Sequence, residues 1–297
     1  MILTMPDNLS LLAYAKLNLS LDITGKRPDG YHTIDTVMQS IDLADTVTVE
    51  QCDPDADFDI DISCNDETIP TDDKNSAYKA AKAFFEYNDI SSGSVKIKIK
   101  KNIPTASGLG GGSADAAAVI VAMNELFNTN LESSELCDIA ENVGMDVPFC
   151  INGGTQLAEG LGTILTPLPN IEGCTFVLIK NGEKKSTAQM YADFDSLEGV
   201  IHPETTAIVD SICEGELLNN TDLLYNVFEP LWGNECKTIK QALIDNGADF
   251  AGLTGSGPTV FGIFADEDDA KRAKAVLDDI YDEVYLCEPV DCGSEEK

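Results

Sequence analysis

Four glycines fall within five positions, at Gly108, Gly110, Gly111 and Gly112, between Ser107 and Ser113. An alternating run, Val95-Lys-Ile-Lys-Ile-Lys100, leads into them, and an alanine-rich stretch leads out. Glycine admits positive φ and lets the main chain approach a bulky anion. A helix start adds unpaired N–H groups and a partial positive charge. The chemistry this predicts is the gripping of a polyphosphate by backbone. Charge placement makes the point sharper. No Lys or Arg occurs between Lys101 and Lys180, and the chain has only two arginines, Arg27 and Arg272. A phosphate site in this segment must therefore use main-chain N–H groups, a helix N-terminus and lysines brought from elsewhere.

Two commoner glycine motifs do not fit. A Walker loop needs Gly-Lys-Ser/Thr, but Gly112 is followed directly by Ser113. The dinucleotide fingerprint G-x-G-x-x-G also breaks, because the run from Gly108 ends in Ser113. The plain alternative is a flexible turn ahead of a helix, which leaves four glycines in five positions without a reason. Asp115, in the first helical turn, suits the helix dipole but adds negative charge, and we expect it to point away from the anion.

Other residues could do chemistry, and each also has an ordinary reading. Lys16 lies in the strand-like run Ala13-Tyr-Ala-Lys-Leu-Asn-Leu19, where a lone lysine is usually a surface residue. Asp146 sits between Gly144 and Pro148, where an aspartate is most often a cap or turn residue, and Pro148 should push Val147 toward extended geometry. Tyr31 and His32 follow a turn; exposed, they would suit stacking on a nucleobase and hydrogen bonding to its edge, and partly buried they would be packing residues. A second glycine turn, Gly255-Ser-Gly257, reads as a tight connection between strands.

These residues have to be positioned by a mixed set of elements. Residues 11–50 alternate in strand fashion, interrupted by the polar turn Gly25-Lys-Arg-Pro-Asp-Gly30. Helical spacing predicts helices over 75–87, with Asn75 or Ser76 as N-cap, and over 114–126, 131–142, 235–246 and 266–279. Strands are predicted over 175–179, 260–264 and 283–286, and the acidic stretch 53–61 reads as a solvated loop or edge strand. Strands and helices mix in both halves without regular alternation, which predicts an α+β fold. Pro167–Pro169 offers the boundary, giving domains over 1–165 and 166–297.

Composition narrows the function. The chain has 297 residues, 43% of them hydrophobic, enough for two lobes. The start, Met1-Ile-Leu-Thr-Met-Pro6, does not read as a secretory signal, and apolar runs such as 116–123 are too short to span a bilayer. Nine cysteines without a C-x-x-C pair predict free thiols in a reducing cytoplasm, and two histidines exclude a histidine-rich metal site. A formal net charge of −33 argues against nucleic acid and anionic membranes as partners. Oligomeric state, monomer or homodimer, is left open.

Pro104-Thr-Ala-Ser-Gly-Leu-Gly-Gly-Gly-Ser-Ala-Asp-Ala-Ala117 resembles the P-x-x-x-G-L-G-G-G-S-x-x-A-A phosphate loop of the GHMP kinases. The run from Ala15 to His32 resembles the branch of that family acting on a cytidylated methylerythritol. Gly144-Met-Asp-Val-Pro-Phe149, Asn226-Val-Phe-Glu229 and Leu253-Thr-Gly-Ser-Gly-Pro-Thr-Val-Phe261 match its later motifs. The likeness spans about residues 11 to 290; Tyr14, where a small residue or proline is usual, is a mild departure.

The resemblance implies a two-lobed GHMP kinase fold, ribosomal-S5-domain-2-like in the N-terminal lobe and ferredoxin-like in the C-terminal one, with ATP and Mg2+ in the cleft. It implies Lys16 and Asp146 as the catalytic pair: an ammonium beside the transferring phosphoryl group, keeping ionised and oriented a carboxylate that takes the hydroxyl proton. ATP would be held by Pro104, Thr105, Ala106, Ser107, Gly108, Leu109, Gly110, Gly111, Gly112, Ser113 and Ala114, with Asn75 and Lys101 on the adenine side and the Ser113 hydroxyl near a phosphate or its Mg2+. Tyr31 and His32 would read cytosine, Tyr191 would close the other face of that base, and Asn18 and Thr187 would touch the substrate. Two alternatives stay in view: another small-molecule substrate, such as mevalonate, homoserine or a sugar, and a catalytically silent nucleotide-binding protein. The Gly30-Tyr-His32 element weighs against the first, and the presence of both Lys16 and Asp146 against the second.

Overall fold

The computed structural model describes residues 8–53, 59–183 and 185–297. The opening Met1–Pro6 and the middle of the acidic stretch, 54–58, lie outside the described residues. The chain opens with two long strands, β1 (Asn8–Lys26) and β2 (His32–Gln51), then an edge strand β3 (Asp59–Cys64), α1 (Ser76–Tyr87) and β4 (Ser94–Lys100). Helices α2 (Gly111–Leu126), α3 (Ser133–Glu141) and α4 (Val147–Asn152) follow, then β5 (Thr155–Gly160) and β6 (Ile164–Pro167). Next come β7 (Thr175–Lys180), α5 (Thr187–Phe194), α6 (Thr205–Cys213) and α7 (Glu229–Asp245). The chain closes with β8 (Phe250–Leu253), β9 (Thr259–Phe264), α8 (Glu267–Leu277), β10 (Val284–Cys287) and β11 (Ser294–Glu296).

Two sheets result. The first runs β11-β1-β2-β4-β3, with β5 and β6 continuing from the other end of β2; the second runs β10-β7-β9-β8 and is antiparallel throughout. The second order places its first strand between its fourth and third, which is the ferredoxin-like arrangement with α7 and α8 packed on one face. Its runs Thr175-Phe-Val-Leu-Ile-Lys180 and Thr259-Val-Phe-Gly-Ile-Phe264 are almost continuously apolar because both faces are covered. Phe176, Leu178, Phe261 and Ile263 join the core of the first lobe, while Val177, Ile179, Val260 and Phe264 join the core beneath α7 and α8. Burial on both faces removes the need for polar alternation.

Helix α2 is the spine of the first lobe. Ala114, Ala116, Ala117, Ala118 and Ala122 are buried, and small side chains let it lie close to α1, which answers with Ala77, Ala80 and Ala81. A helix apolar nearly all round belongs in a core. It begins at Gly111, inside the glycine run rather than at Ala114.

Other departures have local causes. Val147 is not extended but opens α4, because Pro148 falls in the first turn, where its missing N–H costs nothing. Helix α7 starts at Glu229, six residues before the expected 235. Pro230 lies in its first turn and Gly233, at φ 54°, kinks rather than ends it. Strands β5, β6 and β11 and helices α4, α5 and α6 are too short or too weakly periodic to have been read from sequence.

Candidate active site

A cleft of about 1080 Å3 runs between the glycine loop, the β1–β2 pair and α5. At one end the loop turns through left-handed conformations at Ala106 (φ 52°), Gly108 (88°) and Gly110 (75°). Two of these positions leave little room for a side chain. A Cβ on Gly108 would lie 2.9 Å from the Thr254 carbonyl oxygen, and one on Gly110 would lie 3.0 Å from Cγ of Lys16. The loop is pinned from both lobes, since the Lys16 N–H donates to Leu109 O (3.0 Å) and the Thr259 N–H to Ser107 O (3.3 Å). Helix α2 has no side-chain cap. Ser113 and Ala114 donate their N–H groups to Gly110 O, while those of Gly111 and Gly112 have no acceptor among the described residues. That is the donor arrangement an anion needs.

Pro104, Thr105, Ala106, Ser107, Gly108, Gly110, Gly111, Gly112 and Ser113 line the cleft. Leu109 and Ala114 do not: both turn into the core, at 0% and 1% exposure. Asn75 lines the cleft while capping α1, its Oδ1 accepting from the Ala77 N–H at 2.8 Å.

Lys101 also lines the cleft, but its ammonium is taken. It ion-pairs with Asp45 and with Asp115 (2.6 Å), all three side chains buried, and Asp45 also accepts from the main-chain N–H groups of Asn102 (2.5 Å) and Ile103 (2.8 Å). Asp115, expected to turn from the anion, turns onto Lys101 beneath the loop. Burial pushes its carboxyl above the usual range, against the pull of Lys101. Burial pulls the Lys101 ammonium down, but Asp115 and Asp45 outweigh it and hold it above its ordinary value. Two buried carboxylates around one ammonium leave an excess of negative charge, which a proton on Asp115 relieves.

In the middle of the cleft, Lys16 is no surface residue. It is 4% exposed, its Nζ donating to Asn18 Oδ1 at 2.6 Å and lying 3.5 Å from Asp146 Oδ2. Asp146 stands at the N-cap position of α4 but makes no side-chain cap bond, so its half-exposed carboxylate faces the cleft. The turn and catalytic readings of this residue are compatible. Asn18 Nδ2 donates to Thr36 Oγ1 (2.8 Å) and Asn18 N–H to Thr254 Oγ1 (2.7 Å).

The far end is built from aromatic side chains. Tyr31 stands at the lip, 60% exposed. His32, beside it, is turned inward, its side chain 7% exposed. Its ring stacks on Tyr191 at 5.0 Å between centroids, and Nε2 meets Asp195 Oδ1 at 2.7 Å. Tyr191 in turn meets Phe228 edge-on at 5.1 Å. Its hydroxyl is pushed up by burial and by the charge of Asp146, which keeps the phenol neutral. Thr187, at the start of α5, is exposed on the cleft wall.

Sequence reading missed Lys26, which ion-pairs with Asp195 at 2.5 Å, as well as Asp195, Thr36, Lys74, Ile69 and Phe228, all on the cleft wall. Asn226-Val-Phe-Glu229 could have flagged Phe228, whereas nothing local marks Asp195.

Comparison with known proteins agrees with this geometry. Residues 75–154 match the GHMP kinases N terminal domain and residues 233–283 the GHMP kinases C terminal family. A 4-diphosphocytidyl-2-C-methyl-D-erythritol kinase of Acetivibrio thermocellus is 46% identical over 268 residues, covering 89% of this chain and 93% of the relative. One of Clostridium botulinum (strain Eklund 17B / Type B) is 42% identical over 285 residues, covering 94% and 99%. A crystal structure of 4-(cytidine 5'-diphospho)-2C-methyl-D-erythritol kinase superposes with a TM-score of 0.77 at 28% identity, covering 94% of this chain and 98% of that one. A homoserine kinase from Cytophaga hutchinsonii, at 19% identity and a TM-score of 0.79 over 100% and 99%, shares the fold. Loop, lobes and relatives converge: the chain is a small-molecule kinase that belongs to the 4-diphosphocytidyl-2-C-methyl-D-erythritol kinase family of GHMP kinases.

Proposed function

We propose that this enzyme transfers the γ-phosphoryl group of ATP to the 2-hydroxyl of 4-diphosphocytidyl-2-C-methyl-D-erythritol, in the non-mevalonate route to isoprenoid precursors. The observation that carries the reading is the buried Lys16 ammonium, 3.5 Å from Asp146 and packed against Gly110 of the phosphate loop. The alcohol oxygen attacks the γ-phosphorus, the bond to the β-phosphate oxygen breaks, ADP leaves, and Asp146 accepts the hydroxyl proton. Lys16 offsets charge on the transferring oxygens. An aspartate is a weak base, and it suffices where the transition state is loose and the proton leaves late.

ATP would bind as its Mg2+ complex, the ion offsetting charge on the phosphates. The Ser113 hydroxyl offers a hard oxygen donor on the cleft wall, which would fit an ion that keeps waters and phosphate oxygens as its main ligands. The Gly111 and Gly112 N–H groups would hold the phosphates. Asn75 and Lys101 would frame the adenine side, Lys101 through its stem. Tyr31, His32 and Tyr191 would hold the cytosine, with Asn18 and Thr187 nearer the reacting alcohol. The lobes would divide at 1–165 and 166–297, with β11 crossing back.

The test is incubation with Mg-ATP and the cytidylated alcohol, in parallel with mevalonate and homoserine. Phosphorylation of the first alone is expected. Turnover of another alcohol with none of the first would overturn the substrate assignment.

A further inference from the structure

The Lys16 ammonium is held by a chain of hydrogen bonds whose direction is forced. The Thr36 hydroxyl has a single hydrogen and gives it to the Ser20 carbonyl oxygen at 2.6 Å, which can only accept. Thr36 Oγ1 must then accept from Asn18, so the Asn18 amide turns its NH2 to Thr36 (2.8 Å) and its oxygen to Lys16 (2.6 Å). With the amide reversed, its NH2 would face the ammonium, donor against donor. Lys16, Asn18 and Thr36 are 4%, 3% and 1% exposed, so little water is at hand to repair the mismatch.

A β-bulge makes the arrangement possible. Asn18 is opposite Met38 while Ser20 is opposite Val37, so Leu19 is an extra residue on β1. Bulges re-aim side chains. Lys16 and Asn18 face the cleft before the bulge and Leu21 after it, and Thr36, opposite Leu21, shares that face.

We propose that Thr36 is a positioning residue for Lys16, acting through the Asn18 amide. The inference rests on the reading of Lys16 as the cation at the transferring phosphoryl group. A hydroxyl two steps removed sets the acceptor that fixes where the ammonium points. Both polar atoms of Asn18 are thereby engaged inside the protein, so its first task is to hold Lys16.

The test is steady-state kinetics of Thr36→Val, which keeps the shape and removes the hydroxyl. kcat should fall about tenfold to a hundredfold, as for a misplaced catalytic group, while both KM values stay within about twofold. Thr36→Ser should recover most of the loss. In an Asn18→Ala background, Thr36→Val should change kcat by less than about twofold, because the relay is already cut. A Thr36→Val enzyme with kcat within about twofold of the parent overturns the proposal, as does a loss that persists undiminished in Asn18→Ala. If Thr36→Val does not fold, Thr36→Ala carries the same expectations. If the parent enzyme turns over a different alcohol, the substrate reading falls and the relay is measured on that alcohol.

Discussion

The two ends of the cleft are made of different materials. At the phosphate end the ligating groups are main-chain N–H donors, set by three left-handed residues and underlain by the buried Asp45–Lys101–Asp115 cluster. At the far end they are side chains: Tyr31 at the lip, His32 on Tyr191, and Asp195 reaching from beyond α5 to both His32 and Lys26. A backbone site needs local sequence and a rigid bed. A side-chain site needs long-range assembly, and it tolerates exposure because stacking and edge contacts do not require a dry surround. The catalytic pair lies where the two constructions meet.

Four measurements would sharpen or break this contrast, beginning with the meeting point. Asp146→Asn should lower kcat by about two to four orders of magnitude with little change in KM; a near-normal rate would remove Asp146 from the role of base. At the phosphate end, Asp45→Ala removes one of the two acceptors of Lys101 and the acceptor of two main-chain N–H groups. Chemical denaturation should register a loss of about 2–3 kcal/mol, mainly the cost of leaving the Asn102 and Ile103 N–H groups unpaired, since Asp115 still neutralises Lys101. A loss below about 1 kcal/mol would mean that the bed is not what holds the loop. At the far end, Tyr31→Ala should leave stability unchanged and raise KM for the cytidylated alcohol about tenfold to a hundredfold, since stacking on a remote base is largely uniform binding. A fall in kcat instead would place Tyr31 nearer the chemistry.

The smallest effect is one of pH. The Asp115 carboxyl is raised in the folded protein above its ordinary value of 3.8. The native state therefore holds more protons than the unfolded chain from that value up to the raised one, and over that window its contribution to stability falls as pH rises. Asp115→Asn should flatten this slope in urea titrations at a series of pH values. An unchanged slope would show that Asp115 is ionised throughout.

The same contrast decides what was legible beforehand. The glycine loop could be read because its function is written in consecutive residues, and even the absence of basic residues from 102 to 179 carried information. Apart from the start of α7, helices with strong periodicity and two-face-buried strands were found within a few residues. The exceptions are instructive. Leu109 and Ala114 sit within the motif but face the core, Leu109 as the one large apolar side chain among the glycines and Ala114 on the buried side of the first turn of α2. The burial of Lys101 between two carboxylates was not legible, because neither Asp45 nor Asp115 is marked in sequence as its partner. The sequence leaves His32 open between exposed and partly buried because Tyr191 and Asp195 arrive from the other lobe, more than 150 residues later in the chain, as the 163-residue separation of His32 from Asp195 records.

One stitch in the fold has a consequence for how the enzyme is made. Strand β11 zips onto Leu11, Leu12 and Ala13 of β1, three residues ahead of Lys16, and Tyr14 Oη donates to Glu295 across a separation of 281 residues. Cys292 and Gly293 pack so closely on Gly153 and Cys150 that a Cβ on either glycine would strike backbone at 1.9 or 1.8 Å. A ribosome adding about 5–20 residues per second takes on the order of tens of seconds to reach that strand. Through that interval β1 has a bare edge beside the site, which is closed only by a strand whose Glu295 is made 281 residues after Tyr14.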